Sequence, residues 1–309
     1  MFAFDAPREE VFPCAADVIP AFVNSRAGNA GAARAALESA GGFEIRELEP
    51  TTLASQVREV IRRGGGVGRI LIAGGDGSVA SAANALAGQH VELAVLPCGT
   101  LNHLAKDLAL PLDLEQAARV AVDGVAVPVD AAVVNDRLFL NTSSVGAYVS
   151  FVRARERLER RLGYHVASIV AAARLLVRMP TFHVSLNVGG VACQYVTPLV
   201  FIGVGERELK LPTLGARVPN GKSGLHVMVV RHRSGARTLA TALAAAARGV
   251  NAVAKTPAMD AFLVESCTIT CRTHRIAVDG EIVTETPPLQ FHHIPGHLQV
   301  VVPRAPAER

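Results

Sequence analysis

Arg69-Ile-Leu-Ile-Ala-Gly-Gly-Asp-Gly-Ser78 is the stretch that decides the fold. Its apolar run shows no alternation, as expected of a parallel strand buried on both faces. Glycines end the run, and Val79 to Leu86 then reads as a helix. A polyphosphate needs backbone N–H groups at close range, and side chains obstruct that approach. Gly74, Gly75 and Gly77 remove the obstruction, while the helix start adds a favourable dipole. Asp76 carries the wrong charge to touch phosphate itself. It suits holding Mg2+ or accepting from backbone donors and sugar hydroxyls. Ser78 brings a hydroxyl to the helix entrance, where Asp and Ser also serve as ordinary caps.

The same alternation extends outward. Val18 to Val23 reads as a strand, Ala30 to Ala40 as an Ala-rich helix and Phe43 to Leu48 as a second strand. Leu53 to Arg63 reads as a helix with Val57, Val60 and Ile61 on one face, and Leu93 to Leu96 is another continuous apolar run. Gly64-Gly-Gly-Val-Gly68 precedes its strand instead of following it, so it reads as a loop and not as a dinucleotide fingerprint. Repeated strand–turn–helix units predict a doubly wound α/β nucleotide-binding domain over residues 1–128, with its ligand at the carboxyl ends of the strands.

After Val129 the pattern changes. Val129 to Val134 and Arg137 to Leu140 predict a hairpin around Asn135-Asp136. A long Arg-rich helix is expected from Val149 to Arg178 and an Ala-rich one from Thr238 to Arg248. Strands are expected over Thr181–Val188, Val191–Val204, Leu225–Arg231, Phe262–Val264 and Cys267–Val278. These segments predict a second, β-rich domain over residues 129–296, antiparallel and of α+β type. Leu298 to Pro303 suits either domain, and a strand over 297–303 is placed with the first. The active site is expected in the cleft between the two.

Composition narrows the function classes. The 309 residues suffice for two ordinary domains, and 50% of them are apolar, with a mean hydropathy of +0.30. The net charge of +4 is mild for this length, and aromatic residues make up only 5%. A nucleic-acid binder would concentrate basic residues among stacking aromatics, so that partner is not expected. The amino terminus, Met1 to Glu10, lacks a basic segment followed by an apolar run, and no secretory signal is expected. The apolar stretch His165 to Val177 is too short to span a bilayer, so a cytoplasmic location is expected. Five cysteines without metal-ligand spacing read as idle thiols in a reducing compartment.

Two further motifs carry chemistry. Leu96-Pro-Cys-Gly-Thr-Leu-Asn-His-Leu-Ala-Lys-Asp-Leu-Ala-Leu-Pro111 again follows a buried strand and opens a helix, at the same sheet edge. Gly99 permits close approach, Thr100 and Asn102 offer short polar groups that also cap helices, and Lys106 sits about one turn in. Arg275-Ile-Ala-Val-Asp-Gly-Glu281 is locally a strand turning at Asp279-Gly280.

In order and spacing, Gly74-Gly-Asp-Gly-Ser78, Pro97-Cys-Gly-Thr-Leu-Asn102 and Asp279-Gly-Glu281 resemble the three signatures of the diacylglycerol kinase catalytic family, which includes bacterial lipid kinases and sphingosine kinases. The resemblance runs from Asn24 to Pro303. It implies a two-domain kinase that uses ATP and Mg2+ to phosphorylate a lipid hydroxyl. Asn24 to Gly28 matches the family's first nucleotide loop, with Ser25 where Pro is usual. Gly74 to Ser78 would cradle the ATP phosphates, with Thr100 and Asn102 completing the site and Lys106 at an often basic position. Glu281 matches the proton acceptor, and Asp279 its acidic neighbour.

Three departures stand out. Ala80 and Ser81 replace an Asn-Glu pair common in the family, and Asn29 stands where Lys is frequent. Pro219 to Val227 resembles a metal loop in which Asn220, Ser223 and Leu225 would be ligands, yet Ser223 replaces the expected Asp. Two rivals stay open. One is a kinase of a soluble sugar phosphate or NAD, since Gly-Gly-Asp-Gly also occurs there; the other is a non-catalytic nucleotide or lipid sensor. Arg153 to Arg161 packs five Arg against two Glu, which suits either peripheral contact with the inner membrane surface or a solvated helix face.

Overall fold

The computed structural model describes residues 18–63, 67–146, 181–208, 216–218, 221–231 and 259–304, with Val149, Arg157 and Gly163. The chain runs through β1 (Ile19–Asn24), α1 (Ala30–Ala40), β2 (Phe43–Leu48), α2 (Pro50–Arg63), β3 (Arg69–Gly74), α3 (Asp76–Leu86), β4 (Glu92–Pro97), α4 (His103–Asp107) and α5 (Leu114–Asp123). In β3 and β4 every residue after the first is buried, as unalternating apolar runs require. The strands pair in parallel in the order β2-β1-β3-β4. Leu53, Val57 and Val60 of α2 and Val79 of α3 join one apolar cluster, while Ala33 and Leu37 of α1 and Ala117, Ala118 and Ala121 of α5 join another. Arg69 spans strand and helix: its guanidinium donates to Glu92 and to the carbonyls of Ala121 and Val122 at the end of α5.

Two helices begin earlier than the periodicity indicated. Pro50 starts α2, since a first helical position has no use for an N–H. Asp76, Gly77 and Ser78 belong to α3, so the glycine motif is itself the first turn of the helix.

The strands that follow are β5 (Val125–Val134), β6 (Arg137–Phe139), β7 (Thr142–Gly146), β8 (Phe182–Val188), β9 (Val191–Thr197), β10 (Leu199–Val204), β11 (Arg207–Glu208), β12 (Ala216–Arg217), β13 (Leu225–Val230), β14 (Met259–Val264), β15 (Ser266–Cys271), β16 (Arg275–Val278), β17 (Glu281–Thr284) and β18 (Leu289–Val302). The expected hairpin forms, with Val134 opposite Arg137 and Asn135 at a φ of 52°. Two expected strands are each two. Val191–Val204 breaks at Pro198, and β9 and β10 lie in different sheets, because Pro cannot donate to a ladder. Cys267–Val278 breaks between Cys271 and Arg275, again with one piece in each sheet. The helices expected over 149–178 and 238–248 lie outside the described residues.

β18 is longer than the six residues expected. One of its edges pairs antiparallel with β5 along most of its length, with a register shift between Ile294 and Leu298. It also pairs in parallel with β4 at Gln299–Val300 and antiparallel with β15 at Ser266–Ile269. The parallel and antiparallel strands thus share one ten-stranded sheet, and a six-stranded antiparallel sheet, β14-β13-β10-β7-β16-β17, packs on its antiparallel part. Phe139 and Phe291 meet edge to face inside that sandwich, with ring centroids 6.2 Å apart. Truncating a fully buried Phe costs about 3–5 kcal/mol. Phe291→Ala should lose about that much in a urea titration, and an unchanged midpoint would refute the packing described here.

Candidate active site

The glycine turns after β3 and β4 press directly against each other. A methyl group built on Gly99 would lie 2.6 Å from the Gly75 Cα, and one on Gly75 would lie 3.2 Å from the Gly99 Cα. Both obstacles are backbone, which cannot swing aside. The second turn is closed by Asn102, in left-handed conformation at φ 50°: its Oδ1 accepts from Gly99 N–H at 2.9 Å, and its Nδ2 donates to the Gly99 carbonyl at 2.8 Å. Cys98 is buried beside it, and burial pushes its thiol up to about 11, so it is no nucleophile at neutral pH.

The first turn is braced from below. Asn24 Nδ2 donates to Ser78 Oγ at 2.8 Å, and Asn24 Oδ1 accepts from Arg26 N–H. Ser78 is buried, and a methyl on Gly74 would strike its Cβ at 2.6 Å. Asp76 turns toward α4: its Oδ1 accepts from Leu104 N–H at 3.4 Å, and its Oδ2 stands 3.6 Å from His103 Nδ1.

The opposite wall comes from far along the chain. β16 and β17 join through Asp279-Gly280, both at positive φ (45° and 87°), and Val278 pairs with Glu281 across the turn. This is the two-residue hairpin geometry that Asp-Gly favours. The Asp279 carboxylate is spent on holding the turn in place. It accepts from Leu140 N–H at 2.8 Å, Asn141 N–H at 2.8 Å and Thr142 N–H at 3.0 Å. Burial pushes its carboxyl above the usual range against the pull of those amides, and the negative charge of Asp76 adds to the rise. Glu281, next along, reaches the glycine turn: a methyl on Gly77 would lie 2.7 Å from its Oε1.

Together these walls enclose a cavity of about 240 Å3. Gly75, Asp76, Gly99, Thr100, Asp279 and Glu281 line it, bringing together three separate motifs. Asn24 and Ser78 support the wall from behind. Ser25, Gly28, Asn102 and Lys106 are not among its lining residues; Ser25 bonds instead to Leu48 and Glu49, and Lys106 is exposed on α4. His103, Asn141 and Thr142 line the cavity without having stood out in the sequence. Asn141 is buried, and its Oδ1 has no hydrogen-bond partner among the described residues. His103 was legible as the residue after Asn102 in the second motif, whereas nothing local marks Asn141 or Thr142.

The glycine cradle fits a polyphosphate, since Gly75 and Gly99 line the cavity with no side chain of their own. A catalytic Mg2+ fits as an ion shared between Asp76 and nucleotide phosphates, the usual mode for this cation. The second metal loop does not fit. Asn220 lies outside the described residues, Leu225 is buried, and Ser223 Oγ donates to Asp130 Oδ2 at 2.6 Å. Asp130 also accepts from Gly296 N–H and faces His293 Nε2 at 3.1 Å and Arg217 at 3.4 Å. Burial alone would raise its carboxyl, but Ser223, Gly296 and His293 bring it below its ordinary value. Among the described residues, no group of three or more His, Cys, Asp or Glu could hold a metal.

Residues 19–134 match the profile of the diacylglycerol kinase catalytic domain. That segment belongs to the diacylglycerol kinase family. The chain is 38% identical over 104 residues to a "Probable lipid kinase YegS-like" of Cronobacter sakazakii, covering 32% of this chain and 35% of that protein. It is 35% identical over 177 residues to the Serratia proteamaculans protein of the same name, covering 50% and 58%. These matches span about a third and somewhat over half of those relatives. A Staphylococcus carnosus diacylglycerol kinase is 25% identical over 242 residues, covering 76% of each chain. The fold resembles the crystal structure of a diacylglycerol kinase from Bacillus anthracis, with a TM-score of 0.68, 20% identity and coverage of 93% and 97%.

Two stability measurements test the site's construction. Forcing a methyl between the glycine turns amounts to overpacking, so Gly99→Ala should lose about 1–3 kcal/mol in urea unfolding. Asp279→Asn would turn an NH2 group toward one of three amide donors. It should cost about 1.5–3 kcal/mol and speed amide exchange at residues 140–142. Unchanged exchange there would refute the anchoring role.

Proposed function

We propose that the protein transfers the γ-phosphate of ATP to the hydroxyl of a lipid, with Glu281 as the proton acceptor. The observation that carries this reading is the Glu281 carboxylate at the lip of the glycine cradle, in contact range of Gly77. A kinase needs a base within hydrogen-bonding reach of the acceptor oxygen, beside the transferring phosphate. The family of residues 19–134 and the names of the relatives supply the phosphotransferase class.

The backbone N–H groups of Gly75 to Gly77 and of Thr100 hold the phosphates, and the start of α3 presents its dipole to them. Asp76 would hold Mg2+, which when bound would supply neutralisation of the charge spread over the transferring group. Glu281 accepts the proton as the acceptor oxygen forms its bond to the γ-phosphorus and the bond from phosphorus to the ADP oxygen breaks in line. Asp279 is a positioning residue that acts through the hairpin it anchors. Residues 1–128 with strand 297–303 take the nucleotide, and residues 129–296 take the acceptor. Among the described residues no helix is long and apolar enough to cross a membrane, so the lipid would be met at a bilayer surface.

Radiolabelled phosphate transfer from ATP to a total lipid extract tests the reading. A positioned base contributes about 10²–10⁴-fold. Glu281→Gln should lose roughly that factor while keeping ATP affinity, and full activity in the variant would overturn the assignment.

A further inference from the structure

Asp107 closes α4, the helix that the second glycine motif opens, and its side chain is 8% exposed. The proposed chemistry makes no use of it. A buried carboxylate needs donors, and one short hairpin supplies them to both of its oxygens. From β11, the Arg207 guanidinium donates through Nη1 to Asp107 Oδ2 at 2.7 Å. From β12, the Arg217 backbone N–H donates to Oδ1 at 3.2 Å. Arg207 and Arg217 stand opposite each other in that hairpin. Burial pulls the Arg207 guanidinium below its ordinary value and Arg217 adds to the fall, while the carboxylates of Asp107 and Asp279 oppose it.

Two glycines make room for the arginine pair. A methyl on Gly203 would strike the Arg207 stem at Cγ, and one on Gly205 would lie 2.6 Å from Arg217 Nε. Arg207 is fixed further, since its Nε donates to the Val204 carbonyl at 2.9 Å and its backbone N–H to His226 Nδ1 at 2.9 Å. Val204 N–H in turn donates to the Asn141 carbonyl at 2.9 Å, and Asn141 N–H is one of the three amides that hold Asp279. A line of bonded groups therefore runs from α4 through Arg207 to the Asp279-Gly280 turn.

Arg217 extends the grip. Its guanidinium faces Asp130 at 3.4 Å, where Ser223, Gly296 and His293 also converge. A divalent cation would meet a crowded carboxylate there, with a like charge beside it. The loop that resembles a metal site thus delivers Ser223 to an acid that an arginine already serves. We infer that this chain braces itself with arginine and not with an ion: Arg207 and Arg217 form a clasp that holds the second glycine motif against the segment anchoring Glu281. Both are positioning residues. Their effect on turnover rests on the kinase reading above, whereas the clasp itself does not.

The test uses the full chain in Asp107→Asn and Arg207→Lys variants, the lysine keeping the charge but not the planar fork. Both should speed amide exchange at residues 103–107 and, along the line of bonds, at residues 140–142 by about tenfold or more, with β1 to β3 unchanged. Looser alignment of base and phosphate should lower kcat about tenfold. The ATP Kd from calorimetry should stay within about twofold, because the contact between Gly75 and Gly99 is untouched. Arg217→Gln is the milder variant should the buried changes prevent folding. In an Asp76→Asn background, which removes the ion's place in the first cavity, Mg2+ added without nucleotide should move the melting temperature by less than about 2 °C. A larger rise with Mg2+, or unchanged exchange at 140–142 with unchanged kcat in the folded variants, overturns the inference. Failure of the unaltered chain to transfer phosphate to any lipid overturns the kinase reading instead, and the exchange and melting measurements still judge the clasp.

Discussion

The Asp279 carboxylate, desolvated and gripped by the amides of Leu140, Asn141 and Thr142, is the interaction on which the rest of the site depends. Taking an ion out of water costs several kcal/mol, and charge-assisted bonds return about 1.5–3 kcal/mol each. Only the complete set of bonds makes the arrangement tolerable. Its consequence is geometric. The bonds lock the β16–β17 hairpin to the segment entering β7, which leaves Glu281 no freedom to drift from the glycine turn. The paired strands β7 and β16 then carry that constraint into the six-stranded sheet.

Equally exact placement is needed on the other wall, where close backbone contact supplies it. Gly75 and Gly99 approach so nearly that a Cβ on Gly99 would collide with the Gly75 backbone and one on Gly75 would crowd Gly99. Asn102 closes the second turn on itself, and Asn24 ties the first turn to β1 through Ser78. Side chains that resemblance alone would send to the nucleotide are thus spent on shaping the loops. Gly75 and Gly99 therefore line the cavity with bare backbone, beside the side chains of Asp76, Thr100 and Glu281. β18 ties the parallel strands to the antiparallel ones by pairing with β4, β5 and β15, while the Glu281 hairpin sits in the six-stranded sheet and is fastened through Asp279 to residues 140–142.

Much of the parallel half was legible from residues alone. Unalternating runs such as Ile70–Ala73 can be buried only between helices, and the 3.6-residue spacing of Leu53, Val57 and Val60 announces which helix face covers them. The antiparallel half was less so. Val191–Val204 and Cys267–Val278 each look continuous, because a strand that changes sheets keeps the same composition on both sides of the break. Pro198 was the visible clue in the first case. The length of β18 was hidden because Pro295 and Gly296 interrupt its pattern at the register shift.

The sequence by itself determined the side-chain-free character of two turns, since glycines after buried strands act through local backbone geometry. It also marked Glu281, but only by resemblance, because a single Asp-Gly-Glu is locally just a hairpin. Tertiary structure alone decided that Asp279 faces inward to three amides, that Asn141 and Thr142 border the cavity, and that Ala80 and Ser81 open a second one beside Glu281. Those facts depend on which surfaces separated by well over a hundred residues come into contact. Local periodicity carries no record of that.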